Sequence, residues 1–338
     1  MSKYLEYFDG VFDSTVVDKI KPENKPYVAY SKTEGIIYSI VPKEDEEIYL
    51  VTVIMLKDIS NLTYNEVDLG EAGIWADRNI GATSTEDYGS YFQWGSKEAY
   101  TYYINEEFTT EQVIDFLNIL IGGEMEVTKD NVKEVLEMIG VENNIIDIGG
   151  VVIDEKLDIL SADNYFDTSK VENGIITYAK YNEDGLRILE SEDDAATVYM
   201  GSKWNIPTKD EVINLINNTT QYIVDANGVE HKYIDSTTKI GDFDQGNLKG
   251  VRFEASNGNS IFLPANGLLS YLPDNGVAIN VAMHGIGYYW TNELSLSGLS
   301  AVCLEMCFND ADVVYVLGPS SSAHNRIFAM PIRAIKKS

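Results

Sequence analysis

Two rhythms of apolar and polar residues run along this chain. In the first 58 residues the rhythm is that of strands. Residues 26–41, PYVAYSKTEGIIYSIV, set β-branched and aromatic runs on either side of Lys32-Thr33-Glu34-Gly35, which predicts a hairpin. Residues 47–56, EIYLVTVIML, predict a third strand. It is too apolar for a solvated edge, so it is buried or paired with another chain. The acidic run 43–47 between them reads as a solvated turn, and residues 1–25 as polar and irregular.

The second rhythm is helical and begins at residue 109. Thr109 and Gln112 have capping-box spacing, and Val113, Phe116, Leu117 and Leu120 follow on one face. Gly122-Gly123 stops that helix. Another starts near Thr128, carries Val132, Val135, Leu136 and Ile139, and ends with Gly140 at C′. The pair predicts an αα-hairpin inserted at about 100–160, with Glu124, Glu126, Glu134 and Glu137 on its solvated side. Residues 145–160 are strand-like around a bend at Gly149-Gly150, and 183–194 are strongly acidic. Pro207-Thr208 with Glu211 opens a further helix that carries Val212, Ile213, Leu215 and Ile216 and ends at Asn217-Asn218. Beyond 222, short β-runs alternate with Gly, Asn, Asp and Ser turns. The fold class is α+β.

Charge narrows the function. Among 338 residues, 54 are Asp or Glu and 25 are Lys or Arg, a net charge of −29. Such a chain repels nucleic-acid phosphate and anionic membrane, so neither is an expected partner. No apolar run reaches the roughly 18 residues of a membrane helix. The opening MSKYLEYFDG has neither a basic n-region nor an apolar h-region, so no signal peptide is expected. Cys303 and Cys307 are the two cysteines, too few for a disulfide framework. His231, His284 and His324 show no ligand spacing, so no metal cluster is expected.

Four stretches belong together: VDLGEAGIWADRNIGATSTEDYGSYFQWG (67–95), DDAATVYMGSKWNIPTKDEVINLI (193–216), GNSIFLPANG (258–267) and GYYWTNEL (287–294). AMPIRAI (329–335) closes the series. In this order, with the Trp-Pro-Thr-Lys pattern of 204–209, the set resembles the Fibrobacter-succinogenes-type major paralogous domain. That domain is abundant in Bacteroidetes and in head and tail fibre proteins of the phages that infect them. It is similar in fold to C-type lectins and to the formylglycine-generating enzyme. The resemblance covers about 62–97 and 161–335.

It implies a C-type-lectin-like domain over 59–338 with a helical-hairpin insertion, preceded by a β-rich anchoring or oligomerising segment over 1–58. It implies a non-enzymatic virion protein, a head or tail fibre, that projects outward to adhere to a host surface glycan or protein. Its partners would be itself, as a homotrimer or homodimer, and other virion proteins bound through the N-terminal segment. The alternatives are a bacterial surface adhesion protein and an enzyme of the formylglycine-generating type.

The residues suit that expectation. Trp75, Trp94, Trp204 and Trp290 sit among small residues and read as core. Asp77 and Arg78 are placed to pair with Asp193 or Asp194 as a structural ion pair. Cys303 and Cys307 share one face of a strand. They resemble the paired thiols of the formylglycine-generating enzyme, but without its motif, so they read as core. Catalytic residues: none. The calcium-lectin Glu-Pro-Asn loop is absent. Asp242, Asp244 and Asn247 in GDFDQGN miss EF-hand spacing, so calcium is the one cofactor left open. Binding falls to the loops 268–289 and 309–325 and to the strand end Trp290–Glu293. The candidate contacts are Tyr271, Asn275, Asn280, His284, Tyr288, Asn292 and His324, residues suited to sugar or protein surfaces.

Overall fold

The computed structural model describes residues 27–31, 36–42, 48–120, 126–132, 134–135, 145–148, 151–154, 180–181, 185–225, 227–233, 249–272, 278–282, 286–296, 298, 300–308, 314–317, 323–326 and 328–337. Residues 1–25, the Gly122-Gly123 stop, Gly140, the Asp242–Asn247 loop, Asn275 and His284 lie outside that set. The chain is α+β, with short helices and mostly antiparallel strands. It divides into two units. One gathers Met1–Leu56, Tyr100–Ile159 and Tyr271–Asn280; the other gathers Lys57–Ala99, Leu160–Ser270 and Val281–Ser338.

The first unit is built on a sheet ordered Tyr27–Ser31, Ile36–Pro42, Ile48–Leu56, Tyr100–Thr109. The hairpin around 32–35 forms with Ser31 opposite Ile36. Ile48–Leu56 is an interior strand, paired on both sides within the chain, so neither of its edges is left open. Its outer partner is Tyr100–Thr109, whose pairing slips by one residue between Val53 and Ile54, a β-bulge. Ile40, Tyr49 and Val51 are buried, with Ile40 directly opposite Val51.

Helix α1, Thr110–Leu120, follows that strand without a break. Its capping box is made: Thr109 N–H donates to Gln112 Oε1 at 2.8 Å, and Gln112 N–H donates to Thr109 Oγ1 at 3.4 Å. Val113 and Leu117 are buried. Asn118 exchanges two hydrogen bonds with the Val127 backbone at 3.1 and 2.8 Å, imitating a strand pair and clasping the next turn. There Val132 N–H donates to Thr128 O, and Val132 and Val135 are buried. Ile145–Ile148 and Val151–Asp154 form a separate hairpin.

The second unit is assembled from very short strands. Glu66–Asp68, Ile74–Ala76, Ile335–Lys336 and Trp204–Asn205 lie side by side, so its beginning and end are neighbours. Glu230–Lys232, Thr219–Val224, Gly250–Ala255 and Ser260–Pro264 form the most regular sheet. Val251, Phe253, Ile261 and Leu263 alternate into a core shared with Trp75, Val212, Leu215, Tyr289, Leu304 and Ile335. Gly287–Leu294 pairs with Ser300–Phe308, which also receives Val314–Leu317 and Ala323–Asn325. Gly81 has φ +85°, and a side chain there would run into Ser90, so the turn that returns to Ser90 requires glycine.

Among the described residues two α-helices belong to this unit. Helix α3, Lys209–Asn217, carries a full capping box: Glu211 N–H donates to Thr208 Oγ1 at 3.1 Å and Thr208 N–H to Glu211 Oε2 at 2.7 Å. Helix α2, Ala195–Met200, was not legible in the acidic run that precedes it. Asp194 caps it, accepting Thr197 N–H at 2.8 Å. Among the described residues no helix is long and apolar enough to cross a membrane.

Candidate functional site

Segments far apart in sequence meet in the second unit through the polar ends of buried aromatic residues. Trp290 Nε1–H donates to Phe92 O and Trp94 Nε1–H to Thr291 O, both at 2.8 Å. Tyr91 donates its hydroxyl to Asn266 O, and Tyr289 donates its own to Pro264 O at 2.8 Å. Each ring fills apolar space while its single donor bonds a buried backbone carbonyl.

Arg333 completes this network and is only 1% exposed. Its guanidinium donates to Asn79 Oδ1 at 2.9 Å, Ala76 O at 3.2 Å, Asp77 O at 3.1 Å and Phe262 O at 2.7 Å. All four acceptors are uncharged. Burial lowers its pKa to about 10, which still leaves it a cation at neutral pH. The AMPIRAI segment gave no sign of this, since Ile332, Arg333, Ala334 and Ile335 are all buried and the strand alternation is lost.

A second constellation was not foreseen in the sequence. Trp94 stands edge-on to Tyr181, centroids 5.3 Å apart, and Arg326 lies over the Trp94 ring at 5.6 Å. At the other end Lys180 lies 5.5 Å over Tyr181. Lys180 Nζ is 2.9 Å from Glu190 and Glu192 carboxylates and 2.5 Å from that of Asp193. Asp193 also accepts the Tyr181 hydroxyl at 2.7 Å. The three carboxylates converge closely enough to hold a cation, and the ammonium of Lys180 already stands among them. Their hydrogen bonds, Asp193 first, hold Lys180 well above its ordinary pKa; burial pushes the Tyr181 phenol well up. Neither group changes protonation near neutral pH, so the column positions and neutralises charge rather than moving protons.

This arrangement corrects the expected ion pair. Asp193 is held by Lys180, and Asp194 caps α2 while accepting Ile206 N–H. Arg78 pairs with its neighbour Asp77 at 2.8 Å and lies over the Tyr64 ring.

Of the nominated contacts, Tyr288, expected in the loop 268–289, and Asn292, expected at a strand end, both lie in the strand Gly287–Leu294 and are 2% and 7% exposed. Tyr288 N–H donates to Asn266 Oδ1, and Asn292 N–H donates to Pro207 O. Buried inside the sheet packing, neither is placed to touch an external ligand. Tyr271, Asn280 and His324 lie in strands Leu268–Leu272, Ala278–Ala282 and Ala323–Asn325; their side chains, like Asn275 and His284 as a whole, fall outside the described residues. The four tryptophans are buried. Cys303 is buried, and burial pushes its thiol well up, the opposite of what a nucleophilic thiolate requires. His231 lies 2.9 Å from Asp225 on the outer hairpin of the regular sheet.

The chain matches no protein family, no curated protein and no solved structure with which it was compared.

Proposed function

We propose that the second unit is a C-type-lectin-like domain and that the chain is a structural virion protein of the fibre type. One observation carries the reading. The five stretches on which the resemblance rests are the same stretches that interlock. Residues 67–95 bond to 258–267 through Tyr91, to 287–294 through Trp94 and Trp290, and to 329–335 through Arg333. Residues 193–216 join 287–294 through Lys209 N–H to Glu293 Oε1, and Asn205 pairs with Ile335. A motif whose parts hold one another has a scaffold as its meaning, and its function then falls to surface loops.

The chemistry supports a binding role over an enzymatic one. The Cys303 thiol is held protonated, and Lys180 and Tyr181 are locked in one charge state. A formylglycine-generating activity would need a reactive thiol. Adhesion through a lectin-like surface needs only a rigid frame, and the net charge of −29 keeps copies apart except at built interfaces.

Antibody against the full chain, applied to purified virions of a phage that encodes it, decides the reading. Labelling at fibres is the expected result, together with binding of the purified protein to host cells that Cys303→Ser leaves unchanged. Absence of the chain from the virion overturns it.

A further inference from the structure

Five Asn-Gly pairs occur in the sequence, at Asn173, Asn227, Asn257, Asn266 and Asn275; the first and last lie outside the described residues. In such a pair nothing on the glycine hinders its backbone nitrogen from reaching the preceding carboxamide. The three described pairs restrain that nitrogen alike. Each glycine has positive φ, +80° at Gly228, +84° at Gly258 and +62° at Gly267. Each of their N–H groups donates to a carbonyl, at 2.9 Å to Asp225, 3.0 Å to Ala255 and 2.7 Å to Ile286.

The carboxamides differ. Asn257 Nδ2–H donates to Asp68 O at 2.9 Å while its Oδ1 accepts Asn259 N–H at 3.0 Å. Asn266 is fully buried, with Oδ1 accepting Tyr288 N–H at 3.1 Å. Asn227 is exposed, and its carboxamide has no partner among the described residues; only its backbone N–H is used, donating to Asp225 Oδ1. Lys249 Nζ stands 3.7 Å from where a Gly228 side chain would begin, which brings a cation close to the Gly228 backbone.

We propose that Asn227 is a site of spontaneous deamidation in the folded protein, while Asn257 and Asn266 are protected. The Gly228 backbone nitrogen loses its proton to solvent base and attacks Asn227 Cγ. Solvent returns a proton to the carboxamide nitrogen, its bond to Cγ breaks, and ammonia leaves. The succinimide so formed is opened by water at either ring carbonyl, giving aspartate or isoaspartate at 227. The oxyanion formed during the attack lies near the Lys249 ammonium, which stabilises it.

The product acts on the hairpin. Isoaspartate lengthens the backbone by a methylene inside a turn closed by Asp225 N–H to Val229 O and Val229 N–H to Asp225 Oδ1, both 3.0 Å. The following Glu230 holds Arg252. Ageing at Asn227 therefore loosens the outer strand of the most regular sheet.

The test incubates the full chain at mildly alkaline pH and follows the three peptides by mass spectrometry, with isoaspartyl methyltransferase labelling to locate the product. Freeing the Asn257 carboxamide means breaking two hydrogen bonds, so Asn227 converts about ten-fold or more faster than Asn257 when folded. In urea the three rates converge, and Lys249→Gln slows only Asn227. Equal rates at Asn227 and Asn257 in the folded chain, or a ranking that urea leaves intact, overturn the proposal.

Discussion

The sheet of the first unit and the core of the second are closed by opposite means. In the first, three of four strands follow one another in sequence, and the register of Ile40 against Val51 sets the buried face. In the second, decisive hydrogen bonds join residues far apart: 175 positions for Tyr91 to Asn266, 198 for Trp290 to Phe92, 257 for Arg333 to Ala76. Local pairing is specified by pattern and is entropically cheap to close. Distant pairing is not, and here directional donors on buried rings and one guanidinium select which segments meet.

That difference breaks most sharply at Arg333. Arg333→Met keeps the bulk but leaves Asn79 Oδ1 and the carbonyls of Ala76, Asp77 and Phe262 short of a donor. The expected loss is several kcal/mol, at about 1–3 kcal/mol for each buried neutral acceptor left without a partner. Hydrogen exchange should show protection lost across 219–264 while Tyr27–Leu56 keeps its own. Equal loss in both would mean that the two regions unfold together, and the contrast would fall.

Alkali comes next. Tyr64, Tyr88, Tyr91, Tyr181, Tyr199 and Tyr289, all in the second unit, have phenol pKa values raised, chiefly by burial, above the ordinary 10.0. A raised folded value means that the folded state holds its proton longer. The stability so contributed is complete below about pH 10 and is lost as pH climbs through the folded values. Arg333, lowered to about 10, runs the other way: above that pH its burial costs less. One group against six leaves a net alkaline unfolding of the second unit. Tyrosinate absorbance should rise cooperatively with loss of near-ultraviolet dichroism; phenols that titrate singly near pH 10 would refute it.

Val51→Ala probes the other side. Val51 is fully buried opposite Ile40, and its truncation should cost about 2 kcal/mol, read as a lower urea midpoint with protection lost in Tyr27–Leu56 and Tyr100–Thr109 alone.

The same contrast explains what the sequence could say. The hairpin at 32–35, the apolar strand, the two capping boxes and the helical face with Val113 and Leu117 are local patterns, and each could be read from neighbouring residues. Strands of two or three residues, such as Trp204–Asn205 and Ile335–Lys336, are too short for any period. They were visible only as motif fragments. Two of the nominated contacts were misjudged for a related reason: GYYWTNEL lies among Gly and Asn punctuation, yet its strand is buried along most of its length, so Tyr288 and Asn292 face packing. The Lys180–Tyr181–Trp94–Arg326 column joins side chains from three segments, and no spacing rule connects them.

The two capping boxes offer the smallest effect and the closest comparison, since the same device serves one helix in each unit. At Thr208 the reciprocal acceptor is the charged Glu211, both bonds are short, and the carboxylate sits in the first turn of α3, where the helix dipole favours it. At Thr109 the acceptor is neutral Gln112, one bond stretches to 3.4 Å, and Thr109 is exposed. Thr208→Ala should therefore cost about 1 kcal/mol or more and Thr109→Ala about half that. Urea melts of the two variants decide it. Equal costs would mean that a charged acceptor at the helix start adds nothing here, and that the second unit holds its helix by packing of Val212 and Leu215 alone.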